Sequence, residues 1–404
     1  MRILHITAQK PDSTGSGVYL AELVRWFARM GAEQAVVAGI APGERPSFPQ
    51  GVLFRPVVFQ TEELPFPVVG MSDVMPYEAT RYRDLTPLMV TQFKDAFNRA
   101  FDDVLETFQP DLVICHHLYL VCAVMAHRDW SCPIAAVSHS TDIRQMRQIP
   151  LERDYIRAGV ARLDHVLSLH DAQANDIVEV YGIPRERITV VGTGYNAQVF
   201  SPGDARRRSD GTLRIAYVGK IWRKKGVSQL LNALNCLDRN WLSESDEYDH
   251  VEVHLVGGYS DKAEYDHIVA QSHSCSAEVV FEGKVSQDHL VSLYRSSDVF
   301  VLPSFYEGLP LVVIEALACG CTVVVTDLPG IRPWLHASLP GAPVLYVKPP
   351  RMVDVDTPYE GDLPEFEYDL AAALAQAAAM PHAAFDATAV SWDGLCARIR
   401  DVFA

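Results

Sequence analysis

Glu307 and Glu315 stand around a turn that opens a helix, in the segment Pro303-Ser-Phe-Tyr-Glu-Gly-Leu-Pro-Leu-Val-Val-Ile-Glu-Ala-Leu-Ala-Cys-Gly320. An ionised carboxylate only accepts hydrogen bonds, so Glu315 suits a vicinal diol such as a ribose. Its flanks, Leu311-Val-Val-Ile314 and Ala316-Leu-Ala318, are apolar, and an unpartnered carboxylate in such a setting is costly. A partner is therefore expected. Pro310 fits the first helical turn, where its missing N–H does no harm. The unpaired N–H groups of that start, near Leu309, and the helix dipole favour an anion such as a diphosphate. Cations come from Val218-Gly-Lys-Ile-Trp-Arg-Lys-Lys-Gly226, a turn between an apolar strand and the helix Val227 to Leu237. A third group, His139 in Ser138-His-Ser-Thr-Asp142, follows another apolar strand. It should emerge at the carboxyl end of a sheet, where ligands bind in open α/β folds.

The elements that must position these groups read as two successive α/β units. The first opens with strand Arg2–Thr7, the Gly-containing turn Thr14-Gly-Ser-Gly17, a helix from Val18 to Met30 and a strand from Gln34 to Ala38. This βαβ start implies a parallel sheet. Further apolar strands are expected at Asp111–Cys115, Pro133–Val137, His165–Leu169 and Ile188–Val191. Residues 204–211 have linker composition. The second unit follows with strands from Leu213, Val251, Val279, Val299 and Thr322. The expected domains are thus 1–203, a linker at 204–211, 212–384, and a closing helical segment at 385–404. Two long stretches exceed what a minimal α/β layout needs: residues 41–87, expected to pack over a cleft, and the acidic loop Asp238 to His250, expected on the surface.

Composition bounds the function. The 404 residues are 49% hydrophobic and 21% charged, ordinary for a globular enzyme. Fifty-one acidic against 35 basic residues give a formal charge of −16, which argues against general affinity for nucleic acid or anionic membranes. Eight cysteines without a Cys-x-x-Cys pair point to a reducing compartment. With no signal peptide before Ile3-Leu-His-Ile6 and no apolar run near the ~20 residues of a membrane span, a cytoplasmic protein without transmembrane segments is expected. His116-His117 invites a metal reading, but no carboxylate or third His has ligand spacing in sequence, so no metal is expected.

The Glu-x7-Glu motif in its Pro-Ser-x-x-Glu-Gly setting resembles the retaining glycosyltransferases of family 4, which share the GT-B fold. That resemblance implies two doubly wound Rossmann-like domains facing a cleft, with a C-terminal helix crossing back to the first domain. It implies transfer of a sugar from a nucleoside diphosphate donor, UDP- or GDP-linked, to a hydroxyl of a small-molecule, glycan or glycolipid acceptor. Retention of configuration, no metal and no cofactor go with it. Glu307 would meet the donor sugar and Glu315 the nucleotide ribose. Lys225-Gly226 matches the family's Lys-Gly at the leaving diphosphate, while Lys220 stands where Arg is commoner. His139 matches a His near the donor sugar, so His139, Glu307 and Lys225 are the catalytic candidates. Gly15 and Gly17 correspond to a loop at the donor phosphate, Lys284 and Val285 to a loop framing the base, and Gly308, Leu309 and Leu311 to the phosphate-facing helix start. Gly194 matches a glycine at the end of the first domain, and Val390-Ser-Trp392 resembles the family's closing segment. Tyr77, Arg81, His117 and Asp142 are expected on the acceptor side. A sugar-nucleotide epimerase or phosphorylase on the same fold, or a catalytically silent sugar-nucleotide-binding subunit, would share the phosphate and ribose contacts.

Overall fold

The structure is a computed structural model in which all residues are described except 12, 204–209, 238–240, 242–246, 355, 381–384 and 404. Most of the expected linker, most of the acidic loop and the expected boundary at 384 lie outside the described residues. The chain divides into two compact units, Met1–Thr193 with Trp392–Ala404, and Gly194–Ser391.

The first unit contains β1 (Arg2–Thr7), α1 (Gly15–Arg29), β2 (Glu33–Ile40), β3 (Leu53–Val58), β4 (Val69–Gly70), β5 (Thr80–Arg81), α2 (Pro87–Thr107), β6 (Leu112–His116), α3 (Leu120–Ala126), β7 (Ile134–Val137), α4 (Thr141–Gln148), α5 (Arg153–Val160), β8 (His165–Ser168), α6 (Asp171–Tyr181) and β9 (Ile188–Val190). Seven strands form one parallel sheet in the order β3-β2-β1-β6-β7-β8-β9. Helices cover both faces of such a sheet, so its strands are apolar almost throughout: Ala35, Val36, Val37 and Ala38 are all fully buried. The order leaves β1 in opposite directions, toward β2 and toward β6. That reversal opens a crevice at the carboxyl ends of β1 and β6.

The second unit runs β10 (Thr212–Val218), α7 (Val227–Leu237), β11 (His250–Val256), α8 (Lys262–Ser272), β12 (Glu278–Gly283), α9 (Gln287–Ser296), β13 (Val299–Leu302), α10 (Leu311–Cys319), β14 (Thr322–Thr326), α11 (Ile331–Ser338), β15 (Val344–Val347) and α12 (Leu363–Ala378). Its parallel sheet has the order β12-β11-β10-β13-β14-β15, with the reversal at β10 and β13. The last helix, α13 (Trp392–Val402), returns to the first unit, as the resemblance implies.

Three expectations change. Helix α1 begins at Gly15 rather than Val18, because Thr14 caps it by accepting a hydrogen bond from the Gly17 N–H (3.1 Å). Pro310 is the extended residue before α10, not part of its first turn. Part of residues 41–87 builds core: it supplies β3 and the β4–β5 pair, and buries Leu64, Phe66, Val68, Val69, Met71 and Tyr82.

Candidate functional site

In the second unit the loops after four neighbouring strands are stitched together. The Gly219 N–H donates to Val256 O (2.9 Å), Ile221 N–H to Gly258 O (3.0 Å), Gly257 N–H to Gly283 O (2.8 Å) and Phe305 N–H to Lys224 O (3.2 Å). Two glycines permit this approach. A Cβ on Gly257 (φ 143°) would sit 1.8 Å from Gly219 O, and one on Gly226 (φ 70°) 2.1 Å from Pro303 O. The result carries Lys225 from the β10 loop to Glu307 in the β13 loop, with Nζ 2.6 Å from Oε1 and 3.3 Å from Tyr306 O. Both side chains are largely shielded, at 25% and 16% exposure, so the pair feels less solvent screening than a surface ion pair. Trp222 supports two more cations of the turn, Lys220 and Lys224, each 5.4 Å from its ring centroid. Lys224 also pairs with Asp356 (2.7 Å). Beneath them the buried Tyr217 hydroxyl donates to Lys220 O (2.7 Å). Its phenol is pushed well above its ordinary pKa by burial and then by the Glu307 charge.

Gly308 and Leu309 precede α10 and Leu311 opens it; the Val313 N–H donates to Pro310 O (3.2 Å), and the N–H groups of Leu311 and Val312 have no intrahelical acceptor. Glu315, half-buried on the same helix, raises the pKa of two neighbours: Tyr294, after the larger effect of burial, and Cys319, pushed up to about 12 mainly by burial. Lys284 follows β12, exposed, its stem against Gly258, with Val285 partly buried beside it.

In the first unit the carboxyl ends of β6 and β7 bring three imidazoles together. His116 Nδ1 lies 3.2 Å from His139 Nε2, and the His117 ring centroid is 4.8 Å from that of His139. Gln9, in the loop after β1, sets its amide nitrogen 3.3 Å from His117 Nε2. Tyr19 of α1 meets His139 edge-on at 5.1 Å and Trp392 of α13 at the same distance. Burial, reinforced by the neighbouring imidazoles, holds His139 and His116 well below the usual histidine range, and burial takes His117 to about 3. All three are neutral at pH 7. The backbone here is strained, with φ of 71° at His117 and 68° at Ser140.

Asp142 explains how that strain is held. Fully buried, it accepts hydrogen bonds from Leu118 N (2.8 Å), Ser138 Oγ (3.1 Å) and His139 N (3.2 Å). It ties the β6 loop to the β7 loop, which corrects its expected place at the acceptor: its oxygens are already engaged. Arg81 is also not brought to the site; it is exposed and paired with Asp84 (2.6 Å). Tyr77, by contrast, is half-buried with the Lys10 ammonium 4.6 Å from its ring centroid, near the end of β1. Gly15 and Gly17 form the first turn of α1, and because Thr14 takes the Gly17 N–H, Gly15 and Ser16 have the amides left without an intrahelical partner. Sequence reading missed Gln9, Tyr19 and Tyr217, which carry no motif; it named His116, His117 and His139 but not their meeting, because His139 is distant in sequence from the pair. Among the described residues no group of three or more His, Cys, Asp or Glu is arranged to hold a metal ion.

Comparison with known proteins agrees with this architecture. Residues 14–194 match the family described as glycosyl transferase 4-like domain, and residues 212–351 match glycosyl transferases group 1. A D-inositol 3-phosphate glycosyltransferase of Streptomyces bingchenggensis is 30% identical over 184 residues, 43% of this chain and 40% of that protein. The chain thus spans about two fifths of the length of that curated relative. Sucrose-phosphate synthase from Thermosynechococcus elongatus superposes with a TM-score of 0.67 at 18% identity, over 100% of this chain and 98% of that one. Anabaena HepE, solved in complex with UDP and glucose, gives 0.62 at 15% identity, over 100% and 99%. Those structural likenesses show the fold, and the two family matches extend over both units. The chain belongs to the group 1, family 4-like glycosyltransferases of the GT-B fold.

Proposed function

We propose that the protein transfers a sugar from a nucleoside diphosphate sugar, UDP- or GDP-linked, to an acceptor hydroxyl, with retention of configuration and without a metal ion or cofactor. The observation that carries this reading is the shielded Lys225–Glu307 pair at the β10/β13 reversal, beside the start of α10. An incoming diphosphate competes with Glu307 for Lys225 and gains the free amides of α10. As the glycosidic bond breaks, charge grows on the leaving diphosphate, and Lys220, Lys225 and those amides stabilise it where a metal ion would otherwise be needed. Glu315 accepts from the ribose hydroxyls, and Lys284 and Val285 frame the base. Glu307 and His139 meet the donor sugar. Because His139 is neutral, it serves as a hydrogen-bond partner and not as a cationic acid. Tyr77 and His117 belong to the acceptor side. A complex of Anabaena HepE with UDP and glucose favours a uridine donor, and a D-inositol 3-phosphate glycosyltransferase among the relatives favours a polyol or sugar acceptor. The eight free thiols suit a cytoplasmic setting.

A thermal-shift screen of nucleoside diphosphate sugars tests the donor: one UDP- or GDP-sugar should raise Tm, with transfer then persisting in EDTA. No stabilisation by any of them would sink the donor assignment, and reversible loss with EDTA the metal-free one. NMR of the product identifies the anomer. A new sugar nucleotide formed without acceptor would instead make the protein an epimerase.

A further inference from the structure

The imidazole assigned above to the donor sugar is gripped by a second one. His116, the last residue of β6, lies nearly parallel to His139, with an interplanar angle of 12° and centroids 5.4 Å apart. Its Nδ1 sits 3.2 Å from His139 Nε2. His116 is 1% exposed, and its other nitrogen, Nε2, is buried with no hydrogen-bond partner among the described residues. Burial, then His5 and His117, keep His116 neutral, so it carries a single N–H. On Nε2 that proton would be a buried donor with no acceptor; on Nδ1 it has His139 Nε2 to donate to. His139 Nε2 is then an acceptor, and the one proton of the neutral His139 ring is left on Nδ1. The bond to His116 is the one side-chain hydrogen bond His139 makes among the described residues, which leaves Nδ1 available to a ligand.

We infer that His116 is a positioning residue that locks His139 in the Nδ1–H tautomer and makes it a neutral donor toward an oxygen of its ligand. This rests on the reading that His139 meets the donor sugar. It adds that His139 donates to a sugar oxygen and does not take a proton from a hydroxyl. Such second-partner control of tautomer is how imidazoles are commonly oriented.

Nitrogen-15 NMR of the imidazole rings in the full chain at pH 7 tests it. Wild-type His139 should show a protonated Nδ1 and a bare Nε2. His116→Leu should give a mixture of tautomers and lower kcat/KM for the donor sugar about three- to tenfold, the loss of one hydrogen bond. His116→Asn, whose amide N–H overlays Nδ1–H, should restore both, and it decides the matter if the Leu variant fails to fold. His139 found as the Nε2–H form in wild type, or unchanged in His116→Leu, overturns the inference. If the tautomer result holds while His139→Ala transfers sugar at the full rate, the lock stands and the assignment of His139 to the sugar falls.

Discussion

At the scale of single residues, what matters is how much water each charge has lost. Lys225 and Glu307 are both largely shielded, so an anion arriving beside them meets a charge whose field solvent does little to screen. Lys225→Ala is expected to cut kcat by about 10²–10³, the usual loss of one aimed electrostatic group, in steady-state assays with saturating donor. A variant that turns over normally would remove Lys225 from the diphosphate. Glu315 sits further along α10, half-buried. Glu315→Gln keeps its shape but loses the charge that strengthens hydrogen bonds to hydroxyls. Calorimetry should show UDP or GDP binding weakened roughly tenfold with Tm unchanged. Unchanged affinity with a lowered Tm would make Glu315 a structural acid.

Among elements, the strand-end loops decide whether these residues meet. The β10 and β13 loops touch because Gly226 adopts a left-handed conformation directly against Pro303 O. A methyl group there cannot be accommodated by a rotamer change, since the obstacle is backbone. Gly226→Ala should therefore destabilise the second unit by on the order of 1–3 kcal/mol from its conformation alone, with the clash added. Urea denaturation should show this together with weaker nucleotide binding. A variant with wild-type midpoint and affinity would show that the loops do not depend on this contact. In the first unit the same task falls to Asp142, which clamps the β6 and β7 loops through three accepted hydrogen bonds.

Across the whole molecule, the buried imidazoles set an acid limit. His5 is held at about 4 and His117 at about 3 by burial, whereas an unfolded chain binds these protons near 6.5. Both folded values are depressed, so their contribution to stability is complete above pH ~6.5. It is lost as pH falls toward 3–4, where the folded state at last takes up the protons. At pH 5 each group should cost on the order of 1–2 kcal/mol. Scanning calorimetry between pH 7 and 5 should show the first unit's transition falling. His5→Gln, which cannot titrate at this position, should flatten the fall. An equal fall in that variant would exclude His5 from the linkage.

The sequence by itself determined the parallel α/β character, the strand-end position of His139 and the two carboxylates on either side of a helix start, because apolar runs, Gly-Pro punctuation and motif spacing are local properties. It did not show β3, since Pro56 interrupts the run Leu53–Val58; on the outer edge of the sheet, paired to β2 alone, a missing N–H is tolerated. Nor did it separate Asp142 from the ligand-facing residues, because whether a carboxylate is spent on backbone amides depends on where a distant loop returns. Lys225 and Glu307, 2.6 Å apart, and the trio His116, His117 and His139 exist only once strands far apart in the chain become neighbours in a sheet. Register and burial, which fix those meetings and hold the imidazoles neutral, are properties of the packed sheet and belong to the tertiary structure alone.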